Sequence, residues 1–261
     1  MLLAIDVGNT NIVIGVFRGE TLVHSWRLTT IRERTSDELG ILLTDLCNRN
    51  EIHQRDISGI VIASVVPPLT GTLVTMVTDY FGRVPLLFEP AVNAGIPILI
   101  DNPAEVGADR IVNSIAAFAS YGKGLPIIVI DFGTATTFDA VSAKGEYLGG
   151  VICPGPQVSA DALVQRTAKL PRIDVRKPPR VIGTNTIGAM QAGLFWGYVD
   201  MVEGLVRRIK SELGGAAVVV ATGGLASIVA PESHSIEHVD SDLTLRGLRL
   251  IWERAADRST D

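Results

Sequence analysis

Near-continuous apolar runs alternate along the chain with segments whose apolar residues return every three or four positions, a pattern of buried strands interleaved with amphipathic helices. Leu2 to Val7 is the first run, and strand-like runs follow at Ile12 to Phe17 and Leu22 to Leu28, separated by Arg18-Gly19-Glu20. That spacing predicts a β-hairpin. Thr35-x-x-Glu38 forms a capping box, and Leu39, Leu42, Leu43 and Leu46 then recur at helical spacing, predicting a helix that ends near Asn48. A strand over Gly59 to Val65, a helix from Leu69 to Phe81 closed by Gly82, and a short strand over Val84 to Phe88 come next. Asn102 reads as an N-cap, Pro103 as the first helical residue and Glu105 as an acid in the first turn, so one helix is predicted from there to about Tyr121.

The opening pattern returns later. Ile127-Ile128-Val129-Ile130-Asp131-Phe132-Gly133-Thr134-Ala135 matches Leu2-Leu3-Ala4-Ile5-Asp6-Val7-Gly8-Asn9-Thr10, each an apolar run ending at Asp-x-Gly. Strand-like runs at Thr136 to Val141 and Tyr147 to Ile152 follow, joined through Lys144-Gly145-Glu146. The period is far longer than that of repeat arrays, so the pattern predicts two related subdomains, residues 1–122 and 123–261, meeting near Gly122 to Pro126. The second half continues with a helix after Pro156, a loop around Pro178 and Pro179, and a long helix from about Asn185 to Leu213. A strand from Ala216 to Ala221 then runs into Thr222-Gly223-Gly224, and a last helix covers Leu243 to Ala256. Strand clusters alternating with helices predict an α/β fold.

Charge and composition narrow the partners. The net charge is −5, 47% of residues are hydrophobic, and no Lys/Arg block is present, which argues against sequence-independent nucleic-acid binding. Met1 to Asn11 lacks a basic region and reaches Asp6 at once, unlike a secretory or transit segment, and no apolar run approaches the roughly 20 residues that span a bilayer. With only Cys47 and Cys153 there is no disulfide framework, so the expected compartment is the cytoplasm, with no membrane partner. His234 and His238 have a metal-compatible i, i+4 spacing, but Pro231 and the flanking serines predict loop or strand there.

The candidate chemistry gathers at the Asp-x-Gly turns. Neither G-x-x-x-x-G-K-[ST] nor a G-x-G-x-x-G after a strand occurs, which excludes the nucleotide-binding classes built on those loops. Asp-Gly also makes ordinary hairpin turns, but two copies at matched strand ends point to backbone N–H groups that cradle phosphate. A carboxylate 4 Å from a phosphate charge is repelled by about 4 kcal/mol at an effective dielectric of 20, so a nucleotide beside Asp6 implies an intervening cation. Thr222-Gly223-Gly224 allows either the close approach of a flat base or tight packing. Asp109 and Arg110, in Gly107-Ala108-Asp109-Arg110, diverge by about 100° on a helix, which allows two readings: two solvated helix charges, or groups serving different parts of a ligand, the carboxylate accepting a hydroxyl proton and the guanidinium fork matching a carboxylate or phosphate. Phe195, Trp196 and Tyr198 on the long helix fit core packing, while its Ala189, Ala192, Gly193 and Gly197 also permit close pairing with a second helix.

Taken together, Asp6-Val7-Gly8-Asn9-Thr10, Asn102-Pro103, Gly107-Ala108-Asp109-Arg110, Asp131-Phe132-Gly133-Thr134-Ala135, Pro154-Gly155, Asn185-Thr186 with Met190-Gln191-Ala192-Gly193, and Thr222-Gly223-Gly224 resemble the type III pantothenate kinases. The resemblance implies a duplicated actin-like (ribonuclease H-like) α/β fold with an interdomain ATP cleft, and a homodimer that builds the substrate pocket. It implies ATP-dependent phosphorylation of pantothenate to 4'-phosphopantothenate, the first step of coenzyme A biosynthesis. By the same carry-over Asp6, Val7, Gly8, Asn9, Thr10, Asn11, Ile12 and Val13 form the first phosphate loop, and Thr134, Gly223 and Gly224 also contact ATP. The resemblance further implies that Asp109 is the catalytic carboxylate, that Gly107, Ala108, Asp109, Arg110 and Thr186 contact pantothenate, that Asp131 binds a monovalent cation, K⁺ or NH₄⁺, and that Asp6 lies near Mg²⁺ carried with ATP. Family members commonly have tyrosine two positions before Asn-Pro, where this chain has Ile100. A kinase of similar fold acting on a sugar or small acid is the alternative reading, as is a non-catalytic regulator; no helix-turn-helix is recognisable.

Overall fold

A computed structural model describes residues 1–258 of the chain. The first half runs β1 (Leu2–Val7), β2 (Asn11–Arg18), β3 (Thr21–Thr29), α1 (Ser36–Arg49), β4 (Gly59–Ser64), α2 (Pro67–Phe81), β5 (Leu86–Phe88), α3 (Pro90–Asn93) and α4 (Ala108–Tyr121). The second runs β6 (Ile127–Phe132), β7 (Ala135–Val141), β8 (Tyr147–Pro154), α5 (Pro156–Arg166), α6 (Thr186–Glu212), β9 (Val218–Gly223), α7 (Ala226–Val229), β10 (His238–Val239) and α8 (Leu243–Arg258). Two five-stranded sheets result, ordered β3-β2-β1-β4-β5 and β8-β7-β6-β9-β10. In each, the central strand is antiparallel to the hairpin strand and parallel to the next strand along the chain. Even the register irregularity repeats, between Val16 and Phe17 in one hairpin and between Ala140 and Val141 in the other. The duplication seen in the sequence is therefore a duplication of topology, the actin-like fold.

The chain forms two compact units that interleave along the sequence. One comprises Met1–Ile96, Asp101–Ala116 and the chain from Thr244 onward; the other comprises Pro97–Ile100 and Ala117–Leu243. The return of α8 to the first unit has a steric signature. A Cβ on Gly59 of β4 would overlap the Trp252 ring, one on Gly15 of β2 would stand 2.8 Å from a Leu245 methyl, and one on Gly247 would overlap the Val112 backbone of α4. These glycines let α8 lie against one face of the first sheet. The apolar side chains of Leu3, Ile5 and Val7 join Leu39, Leu43, Leu69 and Leu73 of α1 and α2 in a single core cluster. Covered on both faces, β1 reads as a continuous apolar run.

One predicted element breaks in two. The helix expected from Pro103 to Tyr121 is a single 3₁₀ turn, Pro103–Glu105, followed by extended Val106 and then α4 from Ala108. Asn102 does act as a cap, accepting from the Ala104 N–H at 3.3 Å and donating to Glu105 at 2.8 Å, but it caps only the short turn. Asp109 consequently sits in the first turn of a helix, where a carboxylate meets backbone N–H groups, rather than in the second.

Candidate active site

In the first unit, Asp6 occupies the penultimate position of β1, opposite Val13 of β2 and beside Ala63 of β4. The connecting turn is tight: Gly8 donates its N–H to the Asn11 carbonyl at 2.9 Å. That N–H is committed inside the turn, so the exposed Asn9 and Thr10 form the outward rim of the loop. Val7 and Ile12 have their side chains buried in the core. The segment after β3 braces the loop, Thr30 donating from its hydroxyl to Gly8 O at 2.7 Å and from its N–H to Thr10 O at 3.0 Å. Arg32 adds a contact to the Asn9 side chain at 3.3 Å.

Asp109 lies at the same strand ends. Val65, just past β4, donates its N–H to Val7 O at 3.0 Å, and its methyl lies 3.8 Å from where a Cβ on Gly107 would stand. That imagined Cβ would be 2.6 Å from Asp109 Oδ1, so the carboxylate occupies space that only glycine leaves open. Burial raises the Asp109 pKa above the usual aspartate value, against the opposing pull of the Arg110 N–H, at 2.9 Å, and the Arg110 charge. A half-buried carboxylate of raised basicity at the head of a helix is chemically suited to accept a hydroxyl proton.

The second unit repeats the strand-end Asp-x-Gly arrangement. Asp131, penultimate in β6, is flanked by Thr137 of β7 and Thr222 of β9. Gly223, at φ 91°, is pressed against it: a Cβ there would stand 2.5 Å from Asp131 Oδ1 and 2.6 Å from Phe132 N. Thr134 is exposed on the loop between β6 and β7, and Gly224 is exposed directly after β9. Asp131, Thr134, Gly223 and Gly224 thus share one end of the sheet. Thr186 belongs to a different feature. It opens α6 after the Asn185 cap, whose side chain accepts from Gly188 N–H at 2.8 Å, and it lines an open groove of about 770 Å³ with Leu163, Leu170, Met190 and Leu194. Ile100 lies in this unit, its methyl 3.5 Å from the space beside Gly149 of β8.

His234 sits in a loop and His238 in β10, where it stacks on Tyr121 with ring centroids 4.6 Å apart, so the two share no helix face. Among the described residues no group of three or more His, Cys, Asp or Glu is arranged to hold a metal ion. Asp6 and Asp131 are single carboxylates beside glycine turns. That donor set suits Mg²⁺, which takes one or two carboxylates and completes its shell with substrate phosphate and water, and it suits a monovalent ion shared with backbone oxygens.

Residues 2–208 match the type III pantothenate kinase family. A type III pantothenate kinase of Moorella thermoacetica is 53% identical over 254 residues, 97% of this chain and 99% of that relative. One of Myxococcus xanthus is 55% identical over 254 residues, 97% and 98% of the two chains. The chain belongs to the type III pantothenate kinase family. Among solved structures, the activator of the 2-hydroxyisocaproyl-CoA dehydratase of Clostridium difficile, with bound ADPNP, superposes with a TM-score of 0.58 at 14% identity, covering 100% of this chain and 97% of that one. That likeness concerns the fold alone.

Proposed function

We propose that this chain transfers the γ-phosphoryl group of ATP to the primary hydroxyl of pantothenate, forming 4'-phosphopantothenate and ADP and opening coenzyme A biosynthesis. The observation that carries the reading is Asp109, a carboxylate of raised pKa held by Gly107 at the strand ends that also bear the first Asp-x-Gly loop. The substrate oxygen forms the new bond to γ-phosphorus as the bond to the ADP oxygen breaks, and the hydroxyl proton passes to Asp109. In a loose transition state the carboxylate orients the hydroxyl first and takes the proton late. Arg110 offers a planar fork to pantothenate's carboxylate, and Thr186 offers a hydroxyl at the head of α6. Asn9 and Thr10 on one loop and Thr134 on the other meet the polyphosphate, with Gly223 and Gly224 toward the nucleoside.

Asp6 would hold Mg²⁺ carried with ATP, and Asp131 would hold K⁺ or NH₄⁺; these ions neutralise charge on the transferring group. The chain's own part is to set the carboxylates and loop N–H groups before ATP arrives. We further assign a homodimer formed through α6. Its Gly193 and Gly197 support this, because a Cβ on either would meet nothing within 4 Å in the single chain, so neither glycine is required by packing inside it. No helix among the described residues is long and apolar enough to cross a membrane, and a cytoplasmic enzyme is the proposed setting.

An ADP-release assay with and without pantothenate tests the reaction, and a panel of sugars and small hydroxy acids tests the acceptor. Release stimulated by a sugar and not by pantothenate would overturn the substrate assignment. Initial rates in sodium buffer should rise on replacement by KCl at constant ionic strength and saturating Mg²⁺, and Asp131→Ala should abolish the response. Light scattering that finds a fully active monomer would remove the dimer.

A further inference from the structure

Pro154 ends β8 opposite Ala135 and, lacking an N–H, donates nothing to the ladder. The following residue makes the connection: Gly155 donates its N–H to Thr134 O at 2.9 Å. A Cβ on Gly155 would overlap that oxygen and stand 2.5 Å from Gly133 O, so this turn and the Gly133–Thr134 loop are in backbone contact with no room between them. The position of the loop is therefore set by the turn.

The turn is itself held from α6. Tyr198 donates its hydroxyl proton to Pro154 O at 2.5 Å. A phenol has one proton, so the Ser159 hydroxyl, 2.7 Å from Tyr198 Oη, must be the donor in that second bond. Ser159 closes the circuit through its N–H to Gly155 O at 2.9 Å. The Tyr198 ring packs with Ala160, Ile173, Met190 and Leu194, work that phenylalanine would do equally well. Its hydroxyl is a buried polar group whose cost is met only by the Pro154 and Ser159 bonds. Burial raises its pKa, Ser159 opposing, which keeps the phenol a donor through the neutral range.

We propose that Tyr198 is a positioning residue for nucleotide binding: its hydroxyl fixes the Pro154–Gly155 turn, and through Gly155 it fixes the Gly133–Thr134 loop. The inference rests on the assignment of that loop to ATP. It places on one helix both a residue assigned to pantothenate, Thr186 at its head, and a latch for the ATP loop three turns on.

The test measures ADP binding by calorimetry in K⁺ and Mg²⁺ buffer, with melting temperature and steady-state kinetics alongside, for wild type, Tyr198→Phe and Gly155→Ala. A lost neutral hydrogen bond of ordinary strength corresponds to about a three- to tenfold effect. Tyr198→Phe is expected to weaken ADP binding and raise the KM for ATP by about that factor, with the KM for pantothenate at saturating ATP unchanged. Gly155→Ala, which displaces the loop without touching Tyr198, should weaken ADP binding at least as much. ADP affinity unchanged in either folded variant overturns the inference. So does a parallel loss of both substrates together with a large fall in melting temperature, which marks a purely structural hydroxyl. Wild-type protein that binds no ADP would instead bring down the kinase reading, and this inference with it.

Discussion

Asp109 is under opposed pressures whose balance has a sign. Its folded pKa is raised, so the folded chain binds the proton more readily than the unfolded chain, and the ionised carboxylate costs stability once pH exceeds the unfolded value. The cost sets in as pH rises past the unfolded aspartate value, so it is felt at neutral pH. Asp109→Asn should therefore melt at or above the wild-type temperature at pH 7, while kcat falls by roughly 10²- to 10⁴-fold. A variant that both melts far lower and retains turnover would make Asp109 a structural residue. Gly107→Ala probes the same atom from outside. With a Cβ 2.6 Å from Oδ1 the carboxylate must swing or the turn must shift, and a displacement near 1 Å costs about 10²-fold in turnover. ADP affinity should hold, since the first loop is braced separately by Thr30.

At the scale of elements, legibility followed the range of the signal. The Thr35 and Glu38 box lies within four residues, and both its bonds are present, at 3.2 Å and 2.8 Å. The Asn102-Pro103 signal was equally local and real, yet it caps only a 3₁₀ turn, because Val106 takes an extended conformation that ends the turn before α4 begins at Ala108. The paired Asp-x-Gly turns were readable because they occur twice. The latch at Tyr198 was not, since its acceptor lies 44 residues away and no periodicity connects them. Nor was β10, whose two residues pair only with β9.

Glu203 of α6 is a second long-range tie of this kind. It accepts from the Ser233 and Ser235 hydroxyls at 2.6 Å each and from the His234 and Ser235 N–H groups at 2.9 Å and 3.0 Å. Burial pushes its pKa up, but these hydrogen bonds prevail and hold it below the usual glutamate value. The stabilisation is present above the unfolded pKa and is lost as pH falls through the folded one. Glu203→Gln should cost about 1.5–3 kcal/mol at pH 7 by denaturant titration, with the difference from wild type shrinking as the pH is lowered into that range.

For the whole molecule, the duplication extends to the hairpin irregularities but not to the turns: the first unit's Asp-x-Gly loop is one residue longer, closing on Asn11 rather than on the residue equivalent to Ala135. The first unit also depends on α8. Trp252→Ala would leave a void over Gly59, and for this partly buried ring the expected loss is about 2–4 kcal/mol, measured as a lower denaturant midpoint at unchanged m-value.

The return of α8 also orders events during synthesis. The first unit is interrupted after Ala116 and resumes only at Thr244, so the sheet face that α8 covers emerges from the ribosome long before its cover. At about 5–20 residues per second the delay is on the order of ten seconds, ample for an apolar surface to find the wrong neighbour. The second unit, nearly continuous from Ala117 to Leu243, has no such wait. A nascent chain stalled in this window is an incomplete first unit beside an emerging second one, and that interval is when the growing protein is most in need of a chaperone.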